Sequence, residues 1–189
     1  MIIGITGRMA TGKSTAASIL SEKGFLLIDA DALYHGLRES SDEMKEELIT
    51  EFGGVSSALI LGQIKNSKLK KKRLDEITHK YVVAEIKRIL NENSEKHIVI
   101  DAPVPVEEGF LDLCDAIIVT DCEIECQVER LGSRNGISKR EALERIGIQE
   151  GRNEYVALGD LVVDTGCMSG NDLSMVLDIF LRNMGYETS

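Results

Sequence analysis

The octapeptide Gly7-Arg8-Met9-Ala10-Thr11-Gly12-Lys13-Ser14 constrains this 189-residue chain more than any other stretch. It matches the phosphate-binding pattern G-x-x-x-x-G-K-[S/T] and occupies the context that pattern requires. The run Met1-Ile2-Ile3-Gly4-Ile5-Thr6 before it reads as a buried strand. Lys13 to Glu22 after it reads as a helix. Glycine lets the backbone curl tightly around an anion, and the amides at a helix N-terminus then point at it. Lys13 adds a positive charge for the β- and γ-phosphates, and Ser14 offers a hydroxyl to Mg²⁺. The expectation is nucleoside triphosphate binding by Gly7, Met9, Ala10, Thr11, Gly12, Lys13, Ser14 and Thr15.

Downstream, apolar runs alternate with helical periods. The pattern predicts strands at 2–6, 25–29, 97–101, 116–120 and 161–164. It predicts helices at 13–22, 31–38, 42–52, 67–92, 123–134, 138–150 and 171–184, with 53–57 as a loop. In the 67–92 segment, Leu69, Leu74, Ile77, Tyr81, Ile86 and Ile89 fall near one helical face. Ile98-Val99-Ile100 and Ala116-Ile117-Ile118-Val119 are apolar on both faces, as strands of a parallel sheet between helices must be. The predicted fold is α/β, of the P-loop NTPase type, with a doubly wound five-stranded parallel sheet. It carries a helical acceptor insert and a helical lid. One domain, 1–189, is expected: core 1–31, 97–122 and 158–189, acceptor-binding region 32–96, lid 123–157.

Composition narrows the function classes. The net charge of −10 argues against general nucleic-acid binding. It also raises the question of how an acidic chain attracts a triphosphate. The segment from Gln127 to Arg152 holds six cationic and four anionic residues, a local +2 on a body of −12, so a local patch can still focus anions. No apolar run nears the ~20 residues of a membrane helix, and no targeting leader or membrane association is expected. The four cysteines form no C-x-x-C pair, so reduced thiols in a cytoplasmic protein are expected.

A phosphate loop alone does not separate switches, motors and kinases. The D-x-x-G and N-K-x-D elements of GTPase switches are absent, as is G-x-G-x-x-G. Four features favour phosphoryl transfer. Ile28-Asp29-Ala30-Asp31 closes the second strand, where ligands of parallel sheets collect. Asp31 is the candidate base for an acceptor hydroxyl, and Asp29 the candidate helix cap. Asp101 ends the third strand and is the candidate partner of Ser14 on a nucleotide-bound Mg²⁺. Arg130 and Arg134 share a helix face, and Arg145 and Gln149 repeat that spacing. Asn135-Gly136 makes the turn between them, giving a hairpin lid with arginines for the phosphates, Arg134 as the catalytic one. The acceptor region then spans residues 32–95, with His79 as a candidate ligand and Lys70-Lys71-Lys72-Arg73 as a solvated face.

Taken together these residues resemble the dephospho-CoA kinase family. The similarity covers Thr6-Gly7 through Gly12-Lys13-Ser14-Thr15, Ile28-Asp29-Ala30-Asp31, Phe52-Gly53 with Gly62, His79, Asp101-Ala102-Pro103 with Glu107, Gln127-x-x-Arg130-x-x-x-Arg134, Arg145-x-x-x-Gln149 and Asp160. The resemblance implies transfer of the γ-phosphoryl of ATP to the ribose 3′-hydroxyl of dephospho-CoA. Asp31 would be the base, Lys13 and Arg134 would act on the phosphates, and Ser14 and Asp101 would hold Mg²⁺. Asp31, His79, Pro103, Glu107 and Arg145 would bind the acceptor. Departures cluster on the acceptor side: Asn66 stands where the family has Arg, Val104-Pro105 where it has Leu-Leu, and Lys80 where it has Pro. A different small alcohol or nucleotide acceptor, or a catalytically silent nucleotide-binding relative, is the alternative.

Overall fold

The computed structural model describes residues 1–65, 67–102, 111–149 and 151–186. Five strands form one parallel sheet in the order β2-β3-β1-β4-β5: β1 (Ile2–Thr6), β2 (Leu26–Asp29), β3 (Ile98–Asp101), β4 (Ala116–Asp121) and β5 (Leu161–Asp164). Among the described residues the helices are α1 (Lys13–Glu22), α2 (Ala30–Ser40), α3 (Asp42–Phe52), α4 (Ser57–Ile64), α5 (Lys68–Glu92), α6 (Ile124–Asn135), α7 (Lys139–Gly147), α8 (Arg152–Val156) and α9 (Gly170–Asn183). The chain divides into two compact units, Met1–Ile28 with Glu95–Ser189, and Asp29–Ser94.

In the first unit β1 is the central strand, and register fixes what each face presents. Ile3 pairs with Val99 on one side and with Ala116 on the other. One face carries Ile3, Ile5, Val99, Ala116, Ile118 and Val163, which pack with Ala16, Ala17 and Leu20 of α1 and Leu173, Leu177 and Leu181 of α9. The opposite face carries Ile117 and Val119, covered by Tyr155 of α8 with Leu111 and Cys114. Burial on both faces explains the unbroken apolar runs of the central strands. A second small core gathers Leu131 of α6 with Ala142 and Ile146 of α7, and Met9 and Ala10 of the phosphate loop pack against it.

The second unit has its own core of Met44, Leu48, Phe52, Ile60 and Ile77, with Tyr34, Leu37, Leu74 and Tyr81 packed around it. Three readings of the sequence change here. Residues 57–64 form α4, so the loop predicted at 53–57 ends one residue sooner, at Ser56. Leu69, expected on the buried face of α5, is 71% exposed, while Val82 is buried. The basic run is not simply a solvated face. Lys70 Nζ pairs with Glu51 Oε1 at 2.7 Å and lies 5.2 Å from the centroid of the Phe52 ring, and Arg73 bonds both Glu51 and Glu76. In the first unit α8 is a helix that the pattern does not predict, and α7 ends at Gly147, short of the predicted 150. No helix among the described residues is long and apolar enough to cross a membrane.

Candidate active site

The loop after β1 takes its shape from three left-handed residues: Gly7 at φ 143°, Ala10 at φ 62° and Gly12 at φ 98°. Gly7 is also forced by space, because a Cβ there would lie 2.3 Å from the Thr120 carbonyl oxygen. Gly12 caps α1 through its backbone, with no capping side chain. The first amides of a helix have no intrahelical acceptor, and the loop leads into the N-terminus of α1, a position where the helix dipole favours an anion.

The outward groups of the loop are held by side chains from distant parts of the chain. Thr11 is fully buried; its hydroxyl lies 2.8 Å from the Arg8 carbonyl and 2.8 Å from Thr120 Oγ1. The Thr11 carbonyl accepts from Thr165 Oγ1 at 2.7 Å. The Ala10 carbonyl accepts from Arg130 Nη1 at 3.2 Å, and Arg130 Nη2 donates to the Thr165 carbonyl at 2.7 Å. Just past the end of α7, Gln149 Oε1 accepts the Met9 amide at 2.7 Å, and within α7 the Ile146 carbonyl accepts from Arg8 Nη2 at 3.2 Å. Lys13 Nζ bends over the loop and donates to the Gly7 and Arg8 carbonyls at 2.9 and 3.1 Å.

Ser14 and Asp101, paired from sequence as a metal site, do meet: Ser14 Oγ donates to Asp101 Oδ2 at 3.2 Å. A hydroxyl beside a carboxylate is a hard-oxygen donor set that suits Mg²⁺, which keeps most of its other positions for water and substrate phosphates. The two arginines of α6, by contrast, separate. Arg130 is half-buried and bonded into the loop, whereas Arg134 one turn later is exposed, with Nε donating to Asn135 Oδ1 at 3.3 Å. Arg145 is exposed in the last turn of α7. Behind the loop, burial pushes the Cys122 thiol up to about 12, so it is a packing group rather than a nucleophile. Asp121, buried at the end of β4, is paired with Arg152 Nε at 2.6 Å.

The sequence profile of dephospho-CoA kinases matches residues 1–169. This chain belongs to the dephospho-CoA kinase family. It is 33% identical to the dephospho-CoA kinase of Lactobacillus johnsonii, covering 97% of this chain and 98% of that one. It is 36% identical to that of Carboxydothermus hydrogenoformans, covering 96% and 93%. Among solved structures, TT1252 of Thermus thermophilus matches with a TM-score of 0.81 at 26% identity over 97% of both chains. A shikimate kinase from Bacteroides thetaiotaomicron shares the fold, with a TM-score of 0.59 at 14% identity, over 98% of this chain and 99% of that one.

Of the other residues that carry the dephospho-CoA kinase resemblance, Gln127 and Asp160 are in the first unit, and those expected on the acceptor side, Arg145 apart, lie in the second unit or outside the described residues. Asp29 caps α2, its Oδ1 accepting the Ala32 amide at 3.0 Å, as its position predicts. Asp31 is therefore in the first turn of α2, exposed, where a carboxylate is favoured by the helix dipole. His79 is half-buried on α5. Pro103 and Glu107 lie outside the described residues, as do Asn66, Val104 and Pro105. The spacing of the sequence passed over Arg8, Thr120, Asp121, Arg152 and Thr165. A usable signal existed for three of them: polar residues ending apolar parallel strands, at 120–121 and just past 164, face the edge where ligands bind.

Proposed function

We propose that this kinase moves the γ-phosphoryl group of ATP to the ribose 3′-hydroxyl of dephospho-CoA, giving ADP and CoA. The helix α1 amides receive the β- and γ-phosphates, and Lys13 exchanges the Gly7 and Arg8 carbonyls for phosphate oxygens. Ser14 and Asp101 are the side chains that would hold Mg²⁺. When bound, Mg²⁺ neutralises charge on the β- and γ-phosphate oxygens. Asp31 accepts the proton of the 3′-hydroxyl as that oxygen bonds to the γ-phosphorus and the bond to the β-phosphate oxygen breaks. Arg134 lends its planar donors to the phosphoryl oxygens in the transition state. Arg130 acts through the loop it braces. His79, Arg145, Pro103 and Glu107 contribute to the acceptor side. The enzyme works in the cytoplasm, and its partners are these two small molecules.

The observation that supports this reading is the Ser14–Asp101 pair beside a phosphate loop that leads into the N-terminus of α1, in a chain of this family. The test is direct: purified protein with ATP, Mg²⁺ and dephospho-CoA, with CoA and ADP both quantified. Equal amounts of the two products are expected. The Asp31→Asn variant should lose about 10²–10⁴-fold in kcat with unchanged ATP affinity. Wild-type protein that binds ATP yet forms no CoA would overturn the assignment of the acceptor.

A further inference from the structure

We infer that Arg8 and Gln149 are positioning residues: a two-way clasp by which helix α7 and the residues just past it set the shape of the phosphate loop and so the affinity for ATP. The inference rests on the reading of that loop as a triphosphate cradle, but not on the identity of the acceptor.

Two bonds run in opposite directions between the same two segments. The loop donates a main-chain amide, Met9 N, to a side chain near the end of α7, Gln149 Oε1, at 2.7 Å. The loop also donates a side chain, Arg8 Nη2, to a main-chain carbonyl of α7, Ile146, at 3.2 Å. Around 140 residues separate the partners in sequence, so neither bond is a by-product of local structure. Between them the Met9 and Ala10 side chains pack on Leu131, Ala142 and Ile146. The clasp thus consists of an apolar contact closed at each end by a polar bond.

Its placement gives it leverage. Met9 lies between two of the three places where the loop leaves ordinary backbone geometry, Gly7 at φ 143° and Ala10 at φ 62°. A left-handed alanine is unfavourable unless its surroundings hold it there. The Ala10 carbonyl is fixed by Arg130 and the Met9 amide by Gln149, so the peptide unit after Ala10 is pinned from α6 and the one before Met9 from the residue just past α7. A loop held in its binding shape before ATP arrives loses less conformational entropy on binding. Arg8 adds a second reason. Its Nε is buried without a hydrogen-bond partner, so the guanidinium is kept at the Ile146 carbonyl at some cost. Nothing in the proposed chemistry uses either side chain.

The experiment compares wild type with Gln149→Met, Arg8→Met and the double variant. Three readouts are taken: ATP dissociation constants from calorimetry without acceptor, steady-state kcat and KM for ATP with dephospho-CoA, and amide hydrogen exchange over residues 7–12. Gln149→Met should weaken ATP binding about fivefold, the worth of one neutral hydrogen bond. It should raise KM for ATP by a similar factor with kcat within twofold, and speed exchange of the Met9 amide. Arg8→Met should do the same to affinity, and Arg8→Lys should recover part of the loss. The double variant should fall short of the product of the single losses, because both bonds hold one contact. Single variants that bind ATP within twofold of wild type, or that lose kcat and not affinity, would overturn the clasp while leaving the wild-type activity intact. Wild-type protein that binds no ATP would instead refute the triphosphate reading itself, and the clasp with it.

Discussion

Arg130 and Arg134 provide the sharpest test of how this site is built, because spacing groups them and the structure does not. Besides a weak 3.7 Å bond to Cys122 Sγ, Arg130 makes three bonds to oxygens on two segments: Ala10 O at 3.2 Å, Thr165 Oγ1 at 3.0 Å and Thr165 O at 2.7 Å. Replacement by Met keeps the stem but leaves two partly buried carbonyls and a hydroxyl short of a donor. Bonds to a charged donor are each worth ~1.5–3 kcal/mol, and the three are not additive because one side chain makes them all. Discounting for partial exposure, Arg130→Met should destabilise by about 3 kcal/mol. In a domain of this size that is a fall of roughly 6–12 °C in Tm. Lysine should not rescue it, since one ammonium cannot span Ala10 and Thr165 as the planar fork does. Arg134→Met should leave Tm within about 1 °C, as exposed substitutions usually do, yet lower kcat by ~10²-fold or more. Differential scanning calorimetry alongside the CoA-forming assay separates the two. An Arg130→Met protein that melts within 2 °C of wild type would refute the bracing role, and one that also lost only ATP affinity would return Arg130 to direct phosphate contact.

Other consequences are equally open to measurement. Gly7→Ala should abolish ATP binding and destabilise the fold by about 3 kcal/mol or more, because its Cβ would collide with the rigid Thr120 carbonyl at 2.3 Å and φ is +143°; a folded variant that binds ATP normally would show that the loop has another available shape. Hydrogen bonds from Lys80 and then Tyr81 hold Glu47 below the ordinary 4.5, and one from Lys70 does the same for Glu51. Their folded forms thus favour the carboxylate, a contribution complete above about pH 4.5 and lost as pH falls through the lowered values. A Glu47→Gln/Glu51→Gln double variant should show a shallower decline of Tm between pH 5 and 3 than wild type, checked by thermal melts across that range. Burial pushes both Cys114 and Cys122 up to about 12, while Cys167 is exposed. Iodoacetamide at pH 8 should therefore label Cys167 well before either, as peptide mass analysis would reveal.

What could be read from the chain follows from which physical constraints are local. The strands were legible because a parallel sheet covered on both faces needs unbroken apolar runs, and Ile98-Val99-Ile100 has no other reading of that length. The phosphate loop was legible because its glycines answer to backbone geometry alone. Helix α4 was not: Ser57-Ala58-Leu59-Ile60-Leu61-Gly62-Gln63-Ile64 is apolar nearly all round, buries Ile60 and leaves Leu59 and Leu61 exposed, so no period marks it. Helix α8, at five residues, is too short to show one. Leu69 fell on the predicted stripe of α5 but lies in its first turn, where Lys70 rather than Leu69 reaches Phe52 and Glu51.

The site divides along the same line. The Ser14–Asp101 pair was accessible from sequence because both residues end or begin elements whose order fixes their meeting. The supports of the loop were not, since a hydrogen bond between Met9 and Gln149, or between Thr11 and Thr165, leaves no trace in the spacing of either partner. Those supports explain how an acidic chain can still hold a triphosphate. Thr165, Arg130 and Gln149 bond to the outward groups at Thr11, Ala10 and Met9, so the loop's polar groups are satisfied from behind. The start of α1 points at the same place, where the helix dipole favours an anion. Attraction is then set by a handful of oriented dipoles and Lys13 at short range, and the net charge of −10, spread over the surface and screened within about 10 Å at ordinary salt, weighs little against it.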